Sequence, residues 1–148
     1  GAEPKNLGFN VNVGGASFGA PGSYYGSQNY GLGTRRAHHA VPHLEKYHGT
    51  ETFLTEALTI EAKSHVTSAV KAEEPFFLYM SHYAVHVPFA ADSRFYQKYR
   101  DEGLDHTEAM YAAMVEGMDK SLGDILANVE RHGLSDETVI PVRDATYQ

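Results

Sequence analysis

The stretch from Pro75 to Pro88, Pro-Phe-Phe-Leu-Tyr-Met-Ser-His-Tyr-Ala-Val-His-Val-Pro, is the tightest constraint on what this chain can fold into. It is an uncharged apolar run that breaks abruptly into two histidines. An apolar run of this length, bounded by proline and followed by polar groups, predicts a strand buried on both faces of a parallel sheet. Such sheets carry their chemistry just beyond the carboxyl ends of the strands. Ser81, His82 and His86 hold that position here.

The 148 residues are enough for one domain with a sizeable core, and 42% hydrophobic with 21% charged residues is ordinary globular composition. A formal net charge of -7 argues against a nucleic-acid surface or an anionic membrane as partner, since both call for clustered Lys and Arg. With no cysteine, the chain cannot carry a thiolate nucleophile, a disulfide or a cysteine-based zinc site. No run reaches the roughly 18 apolar residues of a membrane span, and the amino terminus lacks a signal-peptide pattern.

Residues 1–50 read as a loop region rich in Gly, Tyr and His, and residues 51–148 as an α/β segment. Nine of the 14 glycines fall within the first 33 positions, so this part is expected to lack long regular elements. Phe9, Val11, Val13, Phe18, Tyr24, Tyr25 and Tyr30 supply its apolar anchors. His38, His39, His43 and His48 follow. Their spacing is not the i, i+4 pair with a carboxylate that a helical metal site would need, so a polar loop is the preferred reading.

Leu54, Ala57, Leu58, Ala62, Val66, Ala69 and Val70 recur at helical spacing and predict an amphipathic helix over 52–70 leading into the strand at Pro75. A short helix is expected from Asp92 or Ser93 to Gly103. Asp105-x-x-Glu108 resembles a capping box opening a long helix that Gly133 stops. Its predicted apolar stripe is Tyr111, Met114, Met118, Leu122, Ile125, Leu126 and Val129. Thr138-Val139-Ile140 predicts a second strand, interrupted by Pro141. Two strands with three helices would leave open strand edges and uncovered helix faces, so a homo-oligomer is expected.

Four segments in order resemble the sulfatase family of the alkaline-phosphatase-like superfamily. They are Leu7-Gly8-Phe9-Asn10 with Gly14-Gly15; Phe53-Leu-Thr-Glu-Ala-Leu-Thr-Ile-Glu-Ala62; Phe76 to Pro88; and Tyr111 to Leu126 with Gly133 and Thr138-Val139-Ile140. The resemblance implies a partial alkaline-phosphatase-like α/β fold with an incomplete sheet. It further implies sulfate-ester hydrolysis by a formylglycine nucleophile with a divalent cation, usually calcium. His86 matches the family histidine that contacts the sulfate and assists the leaving group, and His82 is its neighbour on the substrate side. A secreted or periplasmic location also accords with the family.

The departures from the family pattern matter equally. No Cys-x-Pro-x-Arg or Ser-x-Pro-x-Arg occurs, so no residue here can become formylglycine. The paired amino-terminal aspartates and the Gly-Lys-Trp-His motif are absent, and Asp144 is offset by one place from the family's aspartate, so no metal ligand is assigned. The expectation is therefore an internal sulfatase segment that holds one part of a site and no calcium of its own, inactive in isolation. Two alternatives remain: a segment of a related phosphodiesterase or phosphonate hydrolase, and a non-catalytic self-associating domain. Ser81 as a replacement nucleophile is disfavoured because no Gly-x-Ser-x-Gly elbow surrounds it.

Overall fold

A computed structural model describes residues 3–142. Asp144 lies outside them. Three α-helices follow one another after residue 53: α1, Leu54–Lys71; α2, Tyr96–Asp101; and α3, His106–Arg131. Short 3-10 turns occur at Pro4–Leu7, Gly26–Gly31, Ala37–His39 and Glu45–Tyr47. Among the described residues no strand forms, and the extended pairing that exists is a single antiparallel bridge between Tyr25 and Phe53.

Helix α1 forms where its sequence period predicts, burying Leu54, Ala57, Leu58, Ala62 and Val66. It has no side-chain cap. The first N–H of the helix is instead taken up by the preceding loop, with Leu54 N donating to Tyr24 O at 2.8 Å. In α2, regular helix begins later than Asp92 or Ser93. Residues 92–95 make a turn in which the N–H groups of Phe95 and Tyr96 both donate to Asp92 O. The Asp92 carboxylate accepts from Arg94 N, so this aspartate still organises the helix entrance.

Helix α3 opens with the predicted capping box. Glu108 N donates to Asp105 Oδ1 at 2.8 Å, and Asp105 N donates to Glu108 Oε2 at 3.2 Å. The face it buries coincides with the predicted stripe in part, at Met114, Ile125 and Val129, with Met118 and Leu122 half-buried. Ala109, Ala113, Met114, Gly117, Ser121, Ile125, Asn128 and Val129 are buried, whereas Tyr111 and Leu126 remain exposed. Small side chains let α3 approach α1 and the α2 entrance closely. The Ser121 and Thr59 hydroxyls meet at 2.6 Å, and a Cβ on Gly117 would lie 3.1 Å from Asp92 Oδ2.

The glycine-rich region packs into the same core as the helices. Tyr24, Tyr30, Val41 and Leu44 join Phe53, Leu54, Ala57, Leu58, Tyr83 and Met114 in one buried cluster. Phe53 is its hub, stacked on Tyr24 and edge-on to Tyr25. Gly31 is required by backbone contact: a Cβ there would stand 2.6 Å from Gly22 Cα, and Gly31 adopts φ +107.

The two predicted strands are the main correction. Residues 75–82 and 138–142 carry no regular secondary structure. Phe77 is 77% exposed, where burial on both faces was expected, and Val139 of the second predicted strand is 91% exposed. A strand is stabilised by its ladder, and these backbones find no ladder partner among the described residues. The apolar pattern survives as an uncovered surface, and the expected incomplete sheet does not form among the described residues.

Candidate functional site

The segment after Met80 is held by two tyrosines rather than by a sheet. Tyr83 is buried, and its hydroxyl donates to Gly14 O at 2.6 Å, tying the segment to the glycine-rich region. Tyr24, from that region, places its own hydroxyl 2.8 Å from both Tyr83 O and His86 O. His86 N closes the turn onto Tyr83 O at 2.9 Å. Burial raises the phenol pKa values, that of Tyr83 to about 12 and that of Tyr24 further, so both hydroxyls keep the hydrogen they donate.

His86 sits at the surface of this turn. Its Nδ1 lies 2.8 Å from Val87 O. A carbonyl can only accept, so Nδ1 carries hydrogen, and Nε2 has no hydrogen-bond partner among the described residues. The neutral ring thus presents an acceptor at Nε2, and the imidazolium presents a donor. Only the charged form can give a hydrogen bond to an anionic oxygen from that atom. Gly19 lies alongside, where a Cβ would stand 3.8 Å from His86 Cδ2. Next to it Phe18 stacks on His39 at 4.9 Å, and His39 Nδ1 donates to Ala20 O at 2.9 Å.

His82 has a different environment. Its Nδ1 is buried without a hydrogen-bond partner, and burial lowers its pKa, which keeps the ring neutral. No hydrogen bond among the described residues joins His82 to His86 or either ring to Ser81. The turn therefore separates the two histidines chemically, one surface-facing and one inward. Tyr24 and Gly19 were absent from the sequence-derived site. Tyr24 was visible there as an apolar anchor, but its hydroxyl contact to a carbonyl 62 residues away leaves no local signal.

The remaining histidines do not assemble a cation site. His38 and His39 pack edge to face at 4.5 Å, and His48 lies against Tyr30. Among the described residues no group of three or more His, Cys, Asp or Glu side chains is placed to hold a metal ion. These residues do not fit the family's cation.

Residues 4–142 match the family model described as Sulfatase. The chain belongs to the sulfatase family. Family membership brings with it an alkaline-phosphatase-like fold, of which the described residues supply helices but no strand. The chain is 38% identical over 85 residues to a protein of Formosa agariphila named "Sulfatase", a match covering 55% of this chain and 15% of that protein. It is 31% identical over 142 residues to "Uncharacterized sulfatase YdeN" of Escherichia coli, covering 93% of this chain and 22% of the relative. "Arylsulfatase J" of Mus musculus is 30% identical over 67 residues, 45% of this chain and 11% of that protein. The chain thus spans less than a quarter of the length of these sulfatases. No helix among the described residues is long and apolar enough to cross a membrane.

Proposed function

We propose that this chain is the segment of a sulfate-ester hydrolase that presents His86 to the ester, and that residues outside 1–148 supply the nucleophile and cation. The observation that carries the reading is the geometry of His86. Its ring is surface-facing, its Nδ1–H is committed to Val87 O, and its Nε2 is without a partner among the described residues. In the imidazolium form Nε2–H donates to an oxygen of the ester and delivers a proton to the leaving alcohol as the S–O bond breaks. A single acid-base group of this kind contributes about 10²–10⁴-fold, far short of a complete catalyst. His82, half-buried with Nδ1 enclosed and the ring kept neutral by burial, shapes the segment beside the substrate rather than donating charge. The described part of the loop region 1–50 contributes one wall of this site, and the described part of the segment 51–148 its scaffold. A secreted or periplasmic protein acting on a sulfate ester, without nucleic acid or membrane as partner, completes the proposal.

The test is an aryl sulfate assay of the chain with calcium present. No turnover is expected. Turnover abolished by His86→Ala would show that residues 1–148 hold a whole active site, and the segment reading would fall.

A further inference from the structure

We infer that Tyr24 is a positioning residue for His86, acting through the backbone of the Tyr83–His86 turn; its catalytic relevance rests on the function proposed above. Tyr24 is 2% exposed, and its hydroxyl is equidistant, at 2.8 Å, from the carbonyls at both ends of the turn. One hydroxyl hydrogen shared between two carbonyls draws both toward a single point. That fixes the turn which His86 N closes from the other side at 2.9 Å. Tyr83 O accepts from both groups with its two lone pairs, but His86 O has Tyr24 as its hydrogen-bond donor among the described residues.

Tyr24 is itself immobilised from two directions. Its ring stacks on Phe53, with centroids 5.4 Å apart and planes 12° apart, and its carbonyl accepts the first N–H of α1 at 2.8 Å. The start of α1 is therefore connected through Tyr24 to the histidine turn by one stacking contact and a short series of hydrogen bonds. Because Nδ1 of His86 is held by the next carbonyl in the chain, Val87 O, a turn that loosens also frees the ring tautomer. Removing the Tyr24 hydroxyl acts on His86 without touching the imidazole.

The experiment is histidine-detected NMR on the whole chain without substrate. In Tyr24→Phe, His86 amide exchange should rise about tenfold, as loss of a buried hydrogen bond implies. The His86 ring nitrogens should shift from the Nδ1–H form toward a mixture. Tyr30→Phe is the control: it removes another buried tyrosine's hydroxyl bond, to Thr52 O at 3.1 Å, and should leave the His86 signals in place. Replacement of Tyr24 by p-aminophenylalanine, which keeps a donor at the same position, should retain the wild-type signals, and this arm decides the case even where Tyr24→Phe does not fold. Unchanged His86 signals in Tyr24→Phe, equal changes in Tyr30→Phe, or altered signals in the aniline variant would each overturn the inference. Since substrate is absent, a failure of the hydrolase reading would leave these outcomes intact, and their failure would leave that reading to its own assay.

Discussion

Arg94→Leu tests whether the segment that follows the histidine turn is anchored by charge. Asp92 is fully buried at 0% exposure, and its carboxylate takes a two-pronged contact from Arg94, Nε to Oδ1 at 2.9 Å and a terminal nitrogen to Oδ2 at 2.6 Å. Arg94 also reaches Glu56 on α1 at 3.5 Å. Although burial disfavours its charge, Asp92 and Glu56 hold the guanidinium pKa above its usual value. Removing one partner of a fully buried pair costs about 3–5 kcal/mol. The Arg94 side chain is 25% exposed, so the lower end, about 3 kcal/mol, applies. At about 2–4 °C per kcal/mol for a chain of this size, the midpoint should fall by roughly 6–12 °C. Thermal and urea melts followed by circular dichroism would measure it. Pairing the change with Asp92→Asn removes the stranded charge while keeping an oxygen for the backbone N–H of residue 94, and should recover at least half of the loss. A loss below about 1 kcal/mol, the range of a solvated surface pair, would refute the reasoning, as would a double variant no more stable than the single one.

Two further outcomes are expected. His82 is neutral in the fold because burial lowers its pKa from the usual 6.5, so the unfolded chain binds more protons below that value and stability must fall as pH drops through the window between the two pKa values. Melting between pH 7.5 and 5.5 should show a drop that is smaller in His82→Leu; equal drops would place the ring in solvent. The uncovered apolar residues Phe77, Tyr79, Val139 and Val142 should drive self-association, and light scattering that shows a monodisperse 16.3 kDa species would remove the proposed homo-oligomer.

The helices were legible because their determinants are local. The spacing of Leu54, Ala57, Leu58, Ala62 and Val66 and the Asp105–Glu108 box are complete within a few turns of chain. The buried face of α3 was less so: Ala109, Ala113, Gly117 and Ser121 are weakly apolar by composition, yet their small size sets how closely α1 and the Asp92–Arg94 turn approach. The strands, one in the apolar run that follows Pro75 and one at Thr138-Val139-Ile140, were read from an apolar pattern, but a strand exists only with a partner, and no local pattern supplies one. For the site, His86 and His82 were identifiable by motif. Their opposite environments were not, since these depend on Tyr24 and Tyr83 reaching across 59 to 69 residues of sequence.

The most direct test of the central claim is the turnover of an aryl sulfate by residues 1–148 joined to a formylglycine-bearing, cation-binding sulfatase segment, compared with the same protein carrying His86→Ala. The account predicts that kcat falls by about 10²–10⁴-fold, with aryl sulfates bearing the poorest leaving groups affected most. A fall of less than about tenfold, uniform across leaving groups, would contradict the assignment of His86 to the proton delivered to the departing alcohol.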